Sequence, residues 1–213
     1  MRREVGAAAL VLAAAGAACS SSPVIRGSPP GSPEVNVLLN PPVNEADVEF
    51  MTGMIPHHAQ AVKIASWAAS HGASPSLQIL AERIVVAQRD EIELMRTWLA
   101  DRKQPVPPPD ATHHRMTMNG MTHDMLMPGM MTDEELAQLD AARGVEFDRL
   151  FLTFMIRHHE GALEMVEKLH GSLGAAQDEM VFRLSADVFA DQTTEIERMQ
   201  KMLEALPPAG GSR

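Results

Sequence analysis

Phe50-Met51-Thr52-Gly53-Met54-Ile55-Pro56-His57-His58, followed by Ala61, returns later in the chain as Phe151-Leu152-Thr153-Phe154-Met155-Ile156-Arg157-His158-His159, followed by Ala162. The two copies stand 101 residues apart. Gln88, Glu91, Ile92 and Met95 likewise return as Gln192, Glu195, Ile196 and Met199, now 104 apart, so three extra residues are absorbed around a turn. A long repeat of this kind marks a supersecondary unit that cannot bury its apolar face alone. Within the first copy, Met51, Met54, Ile55, His58, Ala61, Val62 and Ala65 form one stripe at helical spacing. Leu77, Ala81, Ile84, Val85, Ile92, Met95 and Leu99 form another, and His71-Gly72-Ala73-Ser74-Pro75 between them supplies stop and start signals. Each copy is therefore predicted to be a helical hairpin. No run shows strand alternation, so the expected fold is all-α: two repeated hairpins burying their stripes against each other as a four-helix bundle with a pseudo-two-fold axis.

Outward from the repeat, hairpin 1 is expected over 45–103 and hairpin 2 over 132–206, with a connecting segment at 104–131 and a tail at 207–213. Thr132 and Glu135 have the spacing of a capping box, and one long periodic stretch runs from there through His170. Residues 1–18 read as a signal peptide: Arg2 and Arg3, then an apolar run from Val5 to Ala18 too short to span a membrane. Gly16-Ala17-Ala18-Cys19 resembles a lipobox, with Gly16 where Leu is usual, so Cys19 is the expected lipidation site. Residues 19–44, rich in Ser, Pro and Gly, read as a flexible tether. The protein is thus expected to be an exported lipoprotein, at the cell surface or in the periplasm. Cys19 is the only cysteine, which excludes an internal disulfide.

The formal charge of -10 repels phosphate backbones and argues against a nucleic-acid partner. With no Tyr, six Phe and two Trp, there is little from which to build stacking platforms for bases or sugars. The 16 Met residues are the unusual entry.

His57 and His58 follow Met54 by three and four positions, so the three side chains share one side of a helix; Met155, His158 and His159 repeat this. At least one imidazole per repeat therefore points inward, beside a thioether, and needs a partner there. Gln88 and Glu91, with Gln192 and Glu195, fall on or beside the apolar faces of the second helices. The two glutamates are candidate metal ligands or groups that orient the histidines. Met95 and Met199 are further candidate thioether ligands. Thioether donors select Cu(I) among the first-row ions, whereas a di-iron bundle uses several inward Glu with Glu-x-x-His on two helices, and neither His pair has Glu three positions upstream. Pro56 predicts a kink or a late helix start beside the first pair. Between the hairpins, 113–131 holds seven Met and three His in nineteen residues. Gly, Pro and polar interruptions argue against core packing for it. His113, His114, Met116, Met118, Met121, His123 and Met125 are read as soft donors in a flexible loop able to wrap a monovalent ion, with Met127, Met130 and Met131 assigned to packing against the capped helix.

With these motifs the chain resembles the bacterial domain-of-unknown-function family 305, marked by two copies of Met-Ile-x-His-His-x-x-Ala. The matching pieces are Met54 to Ala61, Met127 to Met131, Phe147 to Phe151, Met155 to Ala162 and the two Gln-x-x-Glu-Ile-x-x-Met segments, within Glu45 to Ala205. The resemblance implies a ferritin-like bundle, and a family that includes periplasmic copper-binding proteins implicated in copper tolerance. The expected function is copper binding, Cu(I) favoured, for sequestration or for transfer to or from a donor or acceptor protein, and not catalysis. The alternatives are a ferritin-like di-metal oxidase in which Glu91 and Glu195 are ligands, and a metal-free structural or partner-binding module whose His-Glu pairs are only buried networks.

Overall fold

The computed structural model describes residues 43–118 and 121–208. The expected signal peptide (1–18), the expected lipidation site Cys19 and all but the last two residues of the expected tether (19–44) lie outside the described residues. Seven elements follow in order: α1 (Glu45–Ala65), α2 (Pro75–Asp101), β1 (His114–Met118), β2 (Met121–Met125), α3 (Asp133–Ala141), α4 (Val145–Gly171) and α5 (Glu179–Glu204). α1 packs along α2, α4 along α5, and the two pairs join where α1 meets α4. The four long helices form the expected ferritin-like bundle of two repeated hairpins. Among the described residues no helix is long and apolar enough to cross a membrane.

The helix starts are set locally. Asn44 accepts a hydrogen bond from the Ala46 N–H at α1, Pro75 opens α2 where its missing N–H costs nothing, and Asp178 accepts from Met180 and Val181 at α5. Thr132 and Glu135 form the expected reciprocal capping box at α3. The long periodic stretch after it is divided, however. Gly144 adopts φ 59, a conformation that favours glycine, and its N–H donates to the His71 carbonyl, which separates α3 from α4. α1 runs unbroken through Pro56, so the late-start alternative is excluded.

Each first helix also pins the turn of the other hairpin. Buried Asp47 of α1 accepts a 2.7 Å hydrogen bond from the Ala176 N–H, and buried Asp148 of α4 accepts from the Ser74 N–H at 3.1 and 3.2 Å. The two aspartates stand 101 residues apart, so the repeat begins at least three residues before Phe50. Burial pushes the Asp47 carboxyl above the usual range, with the Ala176 amide opposing it.

Two apolar clusters fill the bundle. One gathers Ala61, Ile64, Leu77, Ile84, Phe147, Phe151, Met155 and Met199, the other Phe50, Met54, Met95, Trp98, Met165 and Val188. Between them lies a polar layer of buried His57, His58, Gln60, Gln88, His158, His159 and Gln192.

The connecting segment departs from the expectation of a flexible, strand-free loop. β1 and β2 pair antiparallel, His114 with Met125, Met116 with His123 and Met118 with Met121. Asn119-Gly120 separates them, a dipeptide favoured in two-residue hairpin turns. Strand alternation was present in the sequence, but its face is built of Met and His rather than β-branched residues.

Candidate metal centre

The first histidine of each pair meets its counterpart on the pseudo-two-fold axis. The His57 and His158 rings lie 3.8 Å apart between centroids, tilted by 36°, and all four histidines are 0% exposed. The second histidine of each pair turns to the other helix of its own hairpin. His159 Nε2 hydrogen-bonds Glu195 Oε2 at 2.7 Å, and His58 Nε2 lies 2.8 Å from Glu91 Oε2, off the hydrogen-bond axis. The carboxylates are mostly buried, with their remaining exposure toward solvent.

Met54 and Met155 are fully buried one turn before the pairs, and Met95 and Met199 are fully buried on the second helices. Met54 and Met95 belong to the apolar cluster on one side of the polar layer, Met155 and Met199 to the cluster on the other. The layer is thus flanked by thioether-bearing residues from both sides.

Several ring nitrogens are left without a hydrogen-bond partner: Nδ1 of His57 and His159, and both nitrogens of His58 and His158. An unpartnered buried polar group costs about 1–3 kcal/mol. Burial, followed by the neighbouring histidine His58, lowers the His57 pKa to about 3, and burial with the adjacent imidazoles lowers that of His158 well below the ordinary value. The central rings are therefore neutral. His57 Nε2 lies 3.1 Å from the Pro128 carbonyl, which can only accept, so the proton sits on Nε2 and Nδ1 keeps a lone pair.

Pro128 belongs to a strap, Met127–Met131, laid across the α1/α4 groove. Buried Gln60 holds it twice, donating to the Met131 carbonyl at 3.0 Å and accepting from the Met131 N–H at 2.8 Å. A Cβ at Gly161 would overlap the Pro128 carbonyl, one at Gly129 the Arg157 carbonyl, and one at Gly53 the Met127 methyl. Arg157 completes the fixing through two 2.6 Å bonds to Glu135 of α3. The strap accounts for part of the imperfection of the repeat. Gly53 against Phe154, Pro56 against Arg157 and Gln60 against Gly161 are equivalent positions at an offset of 101. One connecting segment cannot obey two-fold symmetry, and Gly53, Gln60, Arg157 and Gly161 of these pairs lie against it. Gln60, Gly161, Asp47 and Asp148 were not singled out from the sequence. The signal available was the mismatch, or the backward extension, of the repeat itself.

The outer donors are placed apart from this centre. Position 114 is buried against α1, where the His114 ring bonds the Thr52 backbone. Pro56 has no N–H to offer Thr52, four residues earlier, so the helix leaves that carbonyl free. Burial, the largest influence, lowers the His114 pKa, against the pull of Glu49 and this bond. His113 Nε2 stands 3.8 Å from Asp133 Oδ1. By register, positions 114, 116 and 118 share a ribbon face with positions 125, 123 and 121. Met121, His123 and Met125 are exposed there; the side chains of Met116 and Met118 lie outside what is described. Among the described residues, no group of three or more His, Cys, Asp and Glu side chains forms a ready-made metal site.

The chain is similar to solved proteins of this architecture. A DUF305 protein from Streptomyces coelicolor superposes with a TM-score of 0.64 at 27% identity, covering 79% of this chain and 98% of that one. CopM in its Cu(I)-bound form superposes with a TM-score of 0.56 at 30% identity, covering 74% and 95%, and CopM has also been solved with Cu(II) and with Ag bound. The uncharacterised protein L153 of Acanthamoeba polyphaga mimivirus is 35% identical over 57 residues, 27% of this chain and 38% of that protein's length. The profile of the domain of unknown function DUF305 matches residues 47–203. Repeat, bundle and profile agree: the chain belongs to the DUF305 family.

Proposed function

We propose that this protein is an exported copper-binding protein that holds Cu(I) in the layer between its hairpins, for sequestration or for transfer in copper tolerance. The observation that carries this reading is the set of buried, neutral imidazoles with unpartnered nitrogens, centred on His57 and His158 and flanked by Met54, Met95, Met155 and Met199. Soft thioethers and neutral imidazoles suit a monovalent cuprous ion, which is satisfied by few ligands. A di-iron bundle uses several inward Glu with Glu-x-x-His on two helices, and neither His pair here has a Glu three positions upstream. On this reading Glu195 orients His159 through Nε2, Glu91 stands close beside His58 Nε2, and both rings leave Nδ1 toward the metal. The copper-bound states of CopM, at 30% identity, support the ion's identity.

The hairpin supplies a second array. Met121, His123 and Met125 stand exposed on one ribbon face, which suits brief exchange of copper with a donor or acceptor protein. The sequence at Cys19 supports a lipid anchor holding the domain near a membrane.

Anaerobic equilibrium dialysis of the protein against Cu(I), with the four histidines intact or all replaced by alanine, tests the reading. Sub-micromolar binding that is lost in the variant is expected. Binding weaker than micromolar, or equal in both, would overturn it.

A further inference from the structure

The four imidazoles are enclosed on most sides. The two apolar clusters plug the bundle above and below the polar layer, and the strap held by Gln60 and Gly161 closes the α1/α4 side. α2 and α5, the glutamate-bearing helices, barely touch each other. Between them lies a cavity of about 590 Å³ lined by residues that include Glu82, Arg83, Asp191, Glu195 and Arg198.

We propose that this α2/α5 seam is the path by which cations reach the buried histidines, with Asp191 collecting them and Glu91 and Glu195 passing them inward. This rests on the copper-binding reading above and names its route. Each glutamate is built for two environments at once, with an edge exposed to solvent and a carboxylate oxygen 2.7 or 2.8 Å from a fully buried imidazole. Asp191 is exposed one turn before Glu195. Inward of these carboxylates lie two buried carboxamides with unbonded groups: neither polar atom of Gln192 has a partner, nor does Oε1 of Gln88. They stand one turn before Glu195 and Glu91 and offer oxygen donors along the way. Arg83 and Arg198 also line the cavity with Glu82, Asp191 and Glu195, while burial first, and then the nearby carboxylates Glu91, Glu195 and Asp187, push the Asp191 carboxyl above the usual range. A negative, low-dielectric cleft concentrates cations and speeds their capture. The Met/His hairpin lies on α1, apart from this seam, so inner and outer donors are loaded from different sides.

The test is the rate of Cu(I) uptake, supplied anaerobically as its cationic acetonitrile complex and followed by stopped-flow tryptophan fluorescence of the whole protein. Asp191→Lys is expected to slow uptake about threefold or more at low salt, with a much smaller change in equilibrium affinity and convergence with wild type at high salt. Asp101→Lys makes the same charge change on the exposed end of α2 and is expected to leave the rate near wild type. Uptake by wild type at a rate indifferent to Asp191→Lys, or slowed equally by Asp101→Lys, would overturn the route alone. No uptake by wild type would overturn the copper-binding reading and the route with it.

Discussion

The His57 and His158 rings meet across the pseudo-two-fold axis with centroids 3.8 Å apart and planes tilted by 36°, both sealed from solvent. Burial is the main cause that keeps protons off both rings, with the His58 imidazole adding to it at His57 and the His57 imidazole adding to it at His158. Both rings are therefore held in the form that binds metal.

Replacing His158 with Phe removes two unpartnered nitrogens while keeping a ring of similar shape. The metal-free variant is expected to be at least as stable as wild type, because about 1–3 kcal/mol of unmet desolvation is relieved. Its melting temperature should no longer rise on adding Cu(I). Calorimetry with and without Cu(I) checks both halves, and a metal-free variant that melts well below wild type would contradict the first.

Acid should destabilise the metal-free protein through the same pair. Unfolded histidines take up protons as the pH falls below about 6.5, whereas folded His57 resists until about 3 and His158 resists as well. More protons on the unfolded state means that stability rises with pH across that window and is lost on descending it. Urea midpoints measured from pH 7 to pH 4 should fall, and the slope should flatten when both residues are replaced by Phe.

The strap should be intolerant of a single methyl group. Gly161→Ala places a Cβ against the Pro128 carbonyl, which is backbone and cannot rotate away. A loss of about 1–3 kcal/mol is expected in chemical denaturation, with helix content unchanged by circular dichroism. Gln60→Ala should cost a similar amount by unpairing both Met131 backbone groups.

Asp47→Ala and Asp148→Ala each strand a backbone N–H in the opposite hairpin. Each is expected to cost about 1–3 kcal/mol. The sites lie in different turns, so the double variant should lose close to the sum. A double-mutant cycle in denaturant measures this.

Much of the architecture was legible because its causes are local. Helical periodicity, the Gly72 to Pro75 turn and the Thr132 to Glu135 cap are written within a few residues each. The hairpin at 114–125 was missed although Asn119-Gly120 announces it, because Met and His alternating with Thr and Arg do not look like a half-buried strand. The break at Gly144 escapes a reading of periodicity because apolar spacing continues across it while Gly144 takes a positive φ that no α-helix contains.

The sequence by itself determined that two like hairpins exist and that histidines and thioethers lie along their inner stripes, since a helix fixes what stands three and four residues away. Only the tertiary structure decided that His57 would meet His158, that each second histidine would turn to a glutamate, and that the strap would break the symmetry at Gly53, Gln60 and Gly161. Those contacts join residues far apart in the chain, and their geometry follows from how whole helices pack, which no local pattern records.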